Sequence, residues 1–213
     1  MQEFSVGECV RYGWDTFKKR PWFFIGISLF FAVIGGVSSN IVSNATAQGM
    51  TGSGFFLWLV DFFVIQVFIS MGQIAFFIKA HDSVETVKLA DAWAPHLYLK
   101  FLGTYLLTAA IVLGGLILLI VPGIIWGLGL YAATYLTVDK GLKPMEAIRE
   151  SFRITKGFKW RIALLSLALV GVALLGLLAL VVGIFVATPV IFLSMAHAYR
   201  TLQAKAGPTP VTA

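Results

Sequence analysis

The reading of the chain turns on Phe101–Val138, FLGTYLLTAAIVLGGLILLIVPGIIWGLGLYAATYLTV, and on Ile162–Tyr199, IALLSLALVGVALLGLLALVVGIFVATPVIFLSMAHAY. Each is a run of 38 residues without a formal charge. An uncharged run of about 18 residues or more reads as membrane-spanning, because roughly 20 helical residues cross a hydrocarbon core about 30 Å thick. A single helix of that full length would be about 57 Å long, too long for one crossing. Each run is therefore expected to be a helical hairpin that enters and leaves by the same side. The segment between them, Asp139–Arg161, is charged and reads as a surface helix.

Composition supports this. The 213 residues are 59% hydrophobic and 12% charged, with a mean hydropathy of +0.89. A small soluble core cannot hide apolar runs of that length. The net charge of +6 does not point to nucleic acid, because all the Lys and Arg fall in segments assigned to one side of the membrane. That asymmetry sets both termini in the cytoplasm and places the chain in a cytoplasmic (inner) membrane as a multi-pass protein. Anionic lipid headgroups are the partners such a basic side attracts. A protein partner or a second copy of the chain is also compatible with it. The single cysteine, Cys9, excludes an internal disulfide and any cysteine-built metal site.

Working outward gives an all-α integral membrane protein with six spans as three hairpins, each preceded by an amphipathic interfacial helix on the cytoplasmic side. Residues 1–203 form one membrane domain and 204–213 a flexible cytoplasmic tail. The first interfacial helix covers Ser5–Arg20, where Ser5 and Glu8 form a capping-box pattern and Val6, Val10, Trp14 and Phe17 recur on one face. Span one is expected from Pro21 to Val37, an uncharged outer loop from Ser38 to Gly54, and span two from Phe55 to Ile78. Lys79–Lys100 repeats the amphipathic pattern, with Asp82 and Glu85 as a cap and Leu89, Trp93 and Leu97 one turn apart. Pro122-Gly123 is expected to break spans three and four, leaving span four short. Spans five and six divide near Gly183. Trp14, Trp93 and Trp160 are the expected interfacial anchors.

A shift of 138 residues aligns Glu8 with Glu146, Arg11 with Arg149, Trp14 with Phe152, Lys18 with Lys156 and Trp22 with Trp160. Spans two and six share Phe-x-Ser-Met at Phe68–Met71 and Phe192–Met195. Two readings stand. Amphipathic helices ahead of spans resemble one another anyway, or the chain holds three parallel copies, about 5–80, 82–139 and 143–203. Parallel copies differ from the inverted repeats common in secondary transporters.

Pro122-Gly123-Ile124-Ile125, then Glu146-Ala147-Ile148-Arg149, Ser151-Phe152 and Gly157-Phe158-Lys159-Trp160, resemble a broad prokaryotic integral-membrane superfamily. It includes the membrane domain fused to some glycerophosphodiester phosphodiesterases and YciC-like inner-membrane proteins. The resemblance implies a six-span protein. The fused hydrolase barrel with its metal-binding carboxylates is absent from this sequence, so no phosphodiesterase activity carries over.

Two groups of residues are candidates for function. Asp61 is the one acidic or basic side chain placed inside a span, and Gln66, Ser70 and Gln73 share one helical face in the same span. An intramembrane carboxylate needs a partner, water or a proton, so this is a cation or proton site or a structural carboxyl bonded to the outer loop. On an ideal α-helix Asp61 and Gln66 stand about 140° apart, which sets them on different faces. Arg149, Arg153, Lys156, Lys159 and Arg161 form a basic cluster suited to anionic lipid or to a partner. His81, His96 and His197 show no metal-ligand spacing, and neither a metal nor a cofactor is expected. No nucleophile–base pair or phosphate loop stands out. The expected function is non-enzymatic: an assembly, scaffold or lipid-organising component. The alternative is a small transporter or channel using the polar face of span two.

Overall fold

The computed structural model describes residues 4–47, 49 and 51–207, and every regular element among them is helical. The helices are α1 (Val6–Lys19), α2 (Pro21–Thr46), α3 (Gly52–Val60), a π-helical stretch (Asp61–Gln66), α4 (Val67–Asp82), α5 (Tyr98–Leu118), α6 (Ile120–Leu130), α7 (Ala133–Lys140), α8 (Pro144–Thr155), α9 (Lys159–Leu178) and α10 (Leu180–Ala206). Six helical segments are long and apolar enough to cross a membrane: Pro21–Thr46, Gly52–Asp82, Leu89–Leu118, Val121–Lys140, Lys159–Leu178 and Gly183–Ala206. Their outward residues include Ile117, 85% exposed, and Leu178, 79% exposed. An apolar surface of that kind is stable against hydrocarbon rather than water.

Several boundaries differ from the sequence expectation, each for a local reason. Span one does not stop at Val37, and the expected Ser38–Gly54 loop is helical over most of its length. Small polar side chains bond along the helix itself: Asn44 donates to Asn40 Oδ1 at 2.8 Å and Thr46 to the Val42 carbonyl at 2.9 Å. Polarity without charge or proline lowers hydropathy but leaves a helix intact. The break between spans three and four falls at Leu119, in extended conformation, not at Pro122-Gly123. Pro122 lies in the first turn of α6, where a missing N–H costs nothing. Span four is 20 residues long, as α6 and α7 joined at a turn over residues 131–132, so it is not short. The last two spans divide at Ala179 rather than Gly183.

The close turns depend on glycine pairs. A Cβ on Gly115 would stand 2.8 Å from Gly123 Cα, and one on Gly176 would stand 2.8 Å from the Gly183 carbonyl oxygen. In both places α5 with α6, and α9 with α10, approach at backbone distance, the packing that small residues permit between membrane helices.

The largest correction concerns Lys79–Lys100. It is not an amphipathic helix. Asp82 ends α4 instead of capping a new helix, and two short 3-10 turns follow at Leu89–Ala92 and Pro95–Leu97. Pro95 removes a donor and drives Ala94 out of the helical region. Asp91 closes the first turn by accepting the Lys88 N–H at 2.8 Å.

Three segments pack on the ends of the long helices. The 89–92 turn packs on α4, α8 on α5, α6, α7 and α10, and α1 chiefly on α9 and α10. The contacts use small residues. A Cβ on Gly72 would lie 3.1 Å from the Ala92 carbonyl, Ser151 donates to the Gly129 carbonyl at 2.7 Å, and a Cβ on Gly13 would lie 2.6 Å from the Val190 carbonyl. Three buried clusters fill the seams, around Met71, Phe101 and Tyr199, around Phe24, Phe76, Phe77 and Leu193, and around Phe4, Cys9, Ile162, Leu165 and Leu202. Of the expected tail, 204–206 belongs to α10 and 208–213 lies outside the described residues.

Candidate functional site

The span-two carboxylate sits at the first residue of the π-helical stretch. A π-helix pairs i with i+5, so it overlays residues that an α-helix would hold apart. Gln66 Nε2 lies 3.4 Å from both carboxylate oxygens of Asp61, and the Ser38 hydroxyl of α2 donates to Oδ1. The expectation that Asp61 and Gln66 point to different faces is therefore overturned by the local winding. The Tyr98 hydroxyl donates to the Phe63 carbonyl within the same stretch, which ties the start of α5 to it. Ser70 donates to the Gln66 carbonyl at 2.8 Å, bonding its own helix. Gln73 is half-buried on α4.

The basic cluster does not act as one surface. Arg153 makes two 2.7 Å bonds to Glu150 and donates to the carbonyls of Ala206 and Gly207 at the end of α10, at 2.6 and 3.3 Å. Its ion pair with Glu150 holds the guanidinium in the charged form, raising it above the ordinary arginine value. Arg161 donates to the Phe4 carbonyl at 2.8 Å, fastening the start of the described chain to α9. Lys159 lies 5.6 Å from the centroid of the Phe152 ring. Arg149 and Lys156 are exposed. The anchors are exposed to differing degrees: Trp14 46%, Trp93 68% and Trp160 76%. Trp93 meets Phe68 edge-on, with ring centroids 5.0 Å apart.

The most connected polar cluster was absent from the sequence reading. Asp82 ends α4, Asp139 lies in α7, and Arg200 of α10 joins them. Arg200 reaches Asp82 at 2.5 and 3.1 Å and Asp139 at 2.8 Å. The Tyr199 hydroxyl donates to the same Asp139 oxygen at 2.7 Å. Asp82 also meets His81 Nδ1 at 3.1 Å, and His81 Nε2 lies 3.1 Å from His197 Nδ1. Tyr12 of α1 caps the pair: its ring stacks on His197 at 4.2 Å and its hydroxyl donates to the His81 carbonyl at 2.9 Å. Burial pushes the Tyr12 phenol above its ordinary value, so it stays a hydrogen-bond donor.

Two polar clefts flank Asp82. One, about 360 Å³, is bordered by Tyr12, Lys19, His81 and Glu85; the other, about 350 Å³, by Lys79, Asp91, His96, Asp139 and Arg200. Among the described residues no three His, Cys, Asp or Glu side chains converge as metal ligands. The partners are 116 residues apart in sequence for the histidines and 118 for Asp82 with Arg200. The signal available in sequence was the position of each histidine at the polar end of an apolar run. Spacing rules for metals do not register a pair formed by tertiary packing.

Two apolar clefts lie elsewhere. A cavity of about 760 Å³ is bounded by Phe31, Val64, Phe68, Leu89 and Trp93, and one of about 520 Å³ by Val10, Trp14, Val172, Gly176 and Val190.

Residues 55–206, which carry the π-stretch, both aspartates of the Arg200 clamp and both paired histidines, match the family described as "Protein of unknown function (DUF975)". The chain belongs to the DUF975 family. It is similar to "Uncharacterized protein Rv2560" of Mycobacterium tuberculosis, 26% identical over 94% of this chain and 69% of that protein. "Uncharacterized protein Mb2590" of Mycobacterium bovis is similar at the same identity and coverage. No solved structure matches.

Proposed function

We propose that this DUF975 protein is a non-enzymatic scaffold or lipid-organising component of the cytoplasmic membrane, with both termini cytoplasmic. In this reading the six apolar segments cross as three hairpins. In the same reading α1, the 83–97 segment and α8 make up the cytoplasmic collar, one segment from each copy of a three-copy internal repeat. The carrying observation is the division of labour among basic side chains. Arg153 and Arg161 close the collar on the spans through main-chain carbonyls. Arg149 of α8 and Lys156 just after it are exposed, and so is Trp160 at the start of α9, 76% exposed. Exposed basic side chains and an exposed tryptophan in one short stretch of chain suit anionic headgroups at an interface. The same stretch also suits an acidic partner protein or a second copy. The charges of Asp82, Arg200 and Asp139 are spent on one another, which supports a structural use of that cluster.

The test is retention of phosphatidylglycerol against phosphatidylcholine by the purified protein. Arg149→Glu with Lys156→Glu is expected to abolish the preference for the anionic lipid. An unchanged preference would remove this reading.

The small transporter or channel is the second reading, favoured by the π-stretch, since such bulges recur at functional sites. It predicts that Asp61→Asn abolishes flux in proteoliposomes. The scaffold reading predicts no flux to abolish.

A further inference from the structure

The His81–His197 contact joins α4 to α10 and is roofed by α1. One ring nitrogen must carry the shared hydrogen and the other must offer a lone pair. His81 Nδ1 faces the Asp82 carboxylate at 3.1 Å, which fixes a hydrogen on that nitrogen. Nε2 of His81 then either accepts from His197 or, once His81 is protonated, donates to it. The pair accommodates one added proton with its geometry intact. A second leaves two N–H groups facing each other and no acceptor between them.

We infer that the His81–His197 pair is a proton-binding site whose double protonation unseats α1 from the bundle. Tyr12 is the coupling element, because its hydroxyl is held by the His81 carbonyl and its ring by the His197 face. Rings that move apart cannot both keep it. Among the described residues, the charged and titratable groups around the pair come from four elements. Tyr12 and Lys19 come from α1, Asp82 from α4, and Glu85 from the segment that follows. Arg200 contributes from α10, and Arg200 holds Asp82 while Asp139 of α7 holds Arg200. Asp82 is therefore held by the guanidinium of α10 and stays with Arg200 rather than following the His81 ring when the rings separate. The inference goes beyond the scaffold reading and depends on no partner or lipid.

Cys9 is a built-in reporter. It is 2% exposed, on α1 one turn before Tyr12, and packs among Ile162, Leu165, Ala198 and Leu202. The full-length protein in nanodiscs is treated with a dipyridyl disulfide, which reacts at acid pH, and rates are divided by those of the denatured chain at the same pH. Between about pH 7.5 and about pH 3.5, a window reaching well below the ordinary imidazole value because the second proton enters beside the first with no acceptor between the rings, the ratio is expected to rise at least about tenfold, the change one linked proton gives per pH unit. In His197→Gln the ratio should stay flat, while His96→Gln should behave as the wild type. A flat wild-type ratio, or an equal rise in His197→Gln, overturns the inference. Should His197→Gln fail to fold, nitrogen-15 histidine spectra of the wild type decide. Two separated titration steps for the pair support the inference, and independent, coincident titration refutes it.

Discussion

Gln66 and Asp61 lie five residues apart on one helix, yet the Gln66 amide stands 3.4 Å from both Asp61 carboxylate oxygens. The π winding of Asp61–Gln66 makes this contact, and Ser38 of α2 completes the carboxylate's shell. Asp61→Asn keeps an acceptor for Ser38 and should change stability by less than about 1 kcal/mol. Asp61→Leu leaves Ser38 and Gln66 without their acceptor and should cost about 1–3 kcal/mol. Unfolding in mixed micelles compares the two.

The close turns should separate glycines by what surrounds them. A Cβ at Gly176 meets Ala187 Cβ at 2.7 Å and the Gly183 carbonyl at 2.8 Å, whereas a Cβ at Gly171 meets nothing within 4 Å. Gly176→Ala is expected to destabilise by about 1–3 kcal/mol through overpacking. Gly171→Ala, mid-helix in α9, should be neutral or stabilising by up to about 1 kcal/mol. Thermal unfolding of the two variants checks the contrast, and equal effects would disprove the backbone-distance contact.

The Arg200 clamp should be intolerant of lysine. An ammonium cannot make the paired bonds to Asp82 and still reach Asp139. Arg200→Lys is expected to cost about 1–2 kcal/mol and Arg200→Met more, moderated because the Asp82 side chain is 40% exposed. The coupling is read from a double-mutant cycle with Asp139→Asn. Additive effects would show that the two groups do not interact.

Cys9 gives a pH prediction with a defined sign. Burial, with a smaller contribution from Glu8, pushes its thiol up to about 11 from an ordinary 9.0. A raised value means that folding favours the protonated thiol. The stabilisation is thus complete below about pH 9 and lost as pH rises toward about 11. Wild-type protein should lose stability across that window more steeply than Cys9→Ala. Identical profiles would place the thiol in water.

The spans were legible in sequence because charge-free runs of that length have one stable environment, and six apolar segments follow from them. Their ends were not. Ser38–Thr46 lowers hydropathy without breaking a helix, because its side chains bond to neighbours on the same helix. Lys79–Lys100 carries an amphipathic pattern, but Pro95 and the Asp91-closed turn override it. The candidate carboxylate was visible as a lone charge in an apolar run, and its shell was not, because a π-stretch leaves no periodic mark. Within the basic cluster, sequence could not tell Arg153, committed to Ala206 and Glu150, from the exposed Arg149. The histidine pair is a product of packing between α4 and α10. No local pattern around His81 or His197 encodes the other.

In the proposed scaffold role, the collar of this DUF975 protein holds anionic lipid or a partner through the exposed Arg149 and Lys156. Native mass spectrometry of the protein extracted gently from its own membrane tests it most directly. A retained anionic phospholipid or a stoichiometric protein partner is expected, lost in Arg149→Glu with Lys156→Glu and kept in Asp61→Asn. A bare chain, or adducts that survive the charge reversal unchanged, would contradict it.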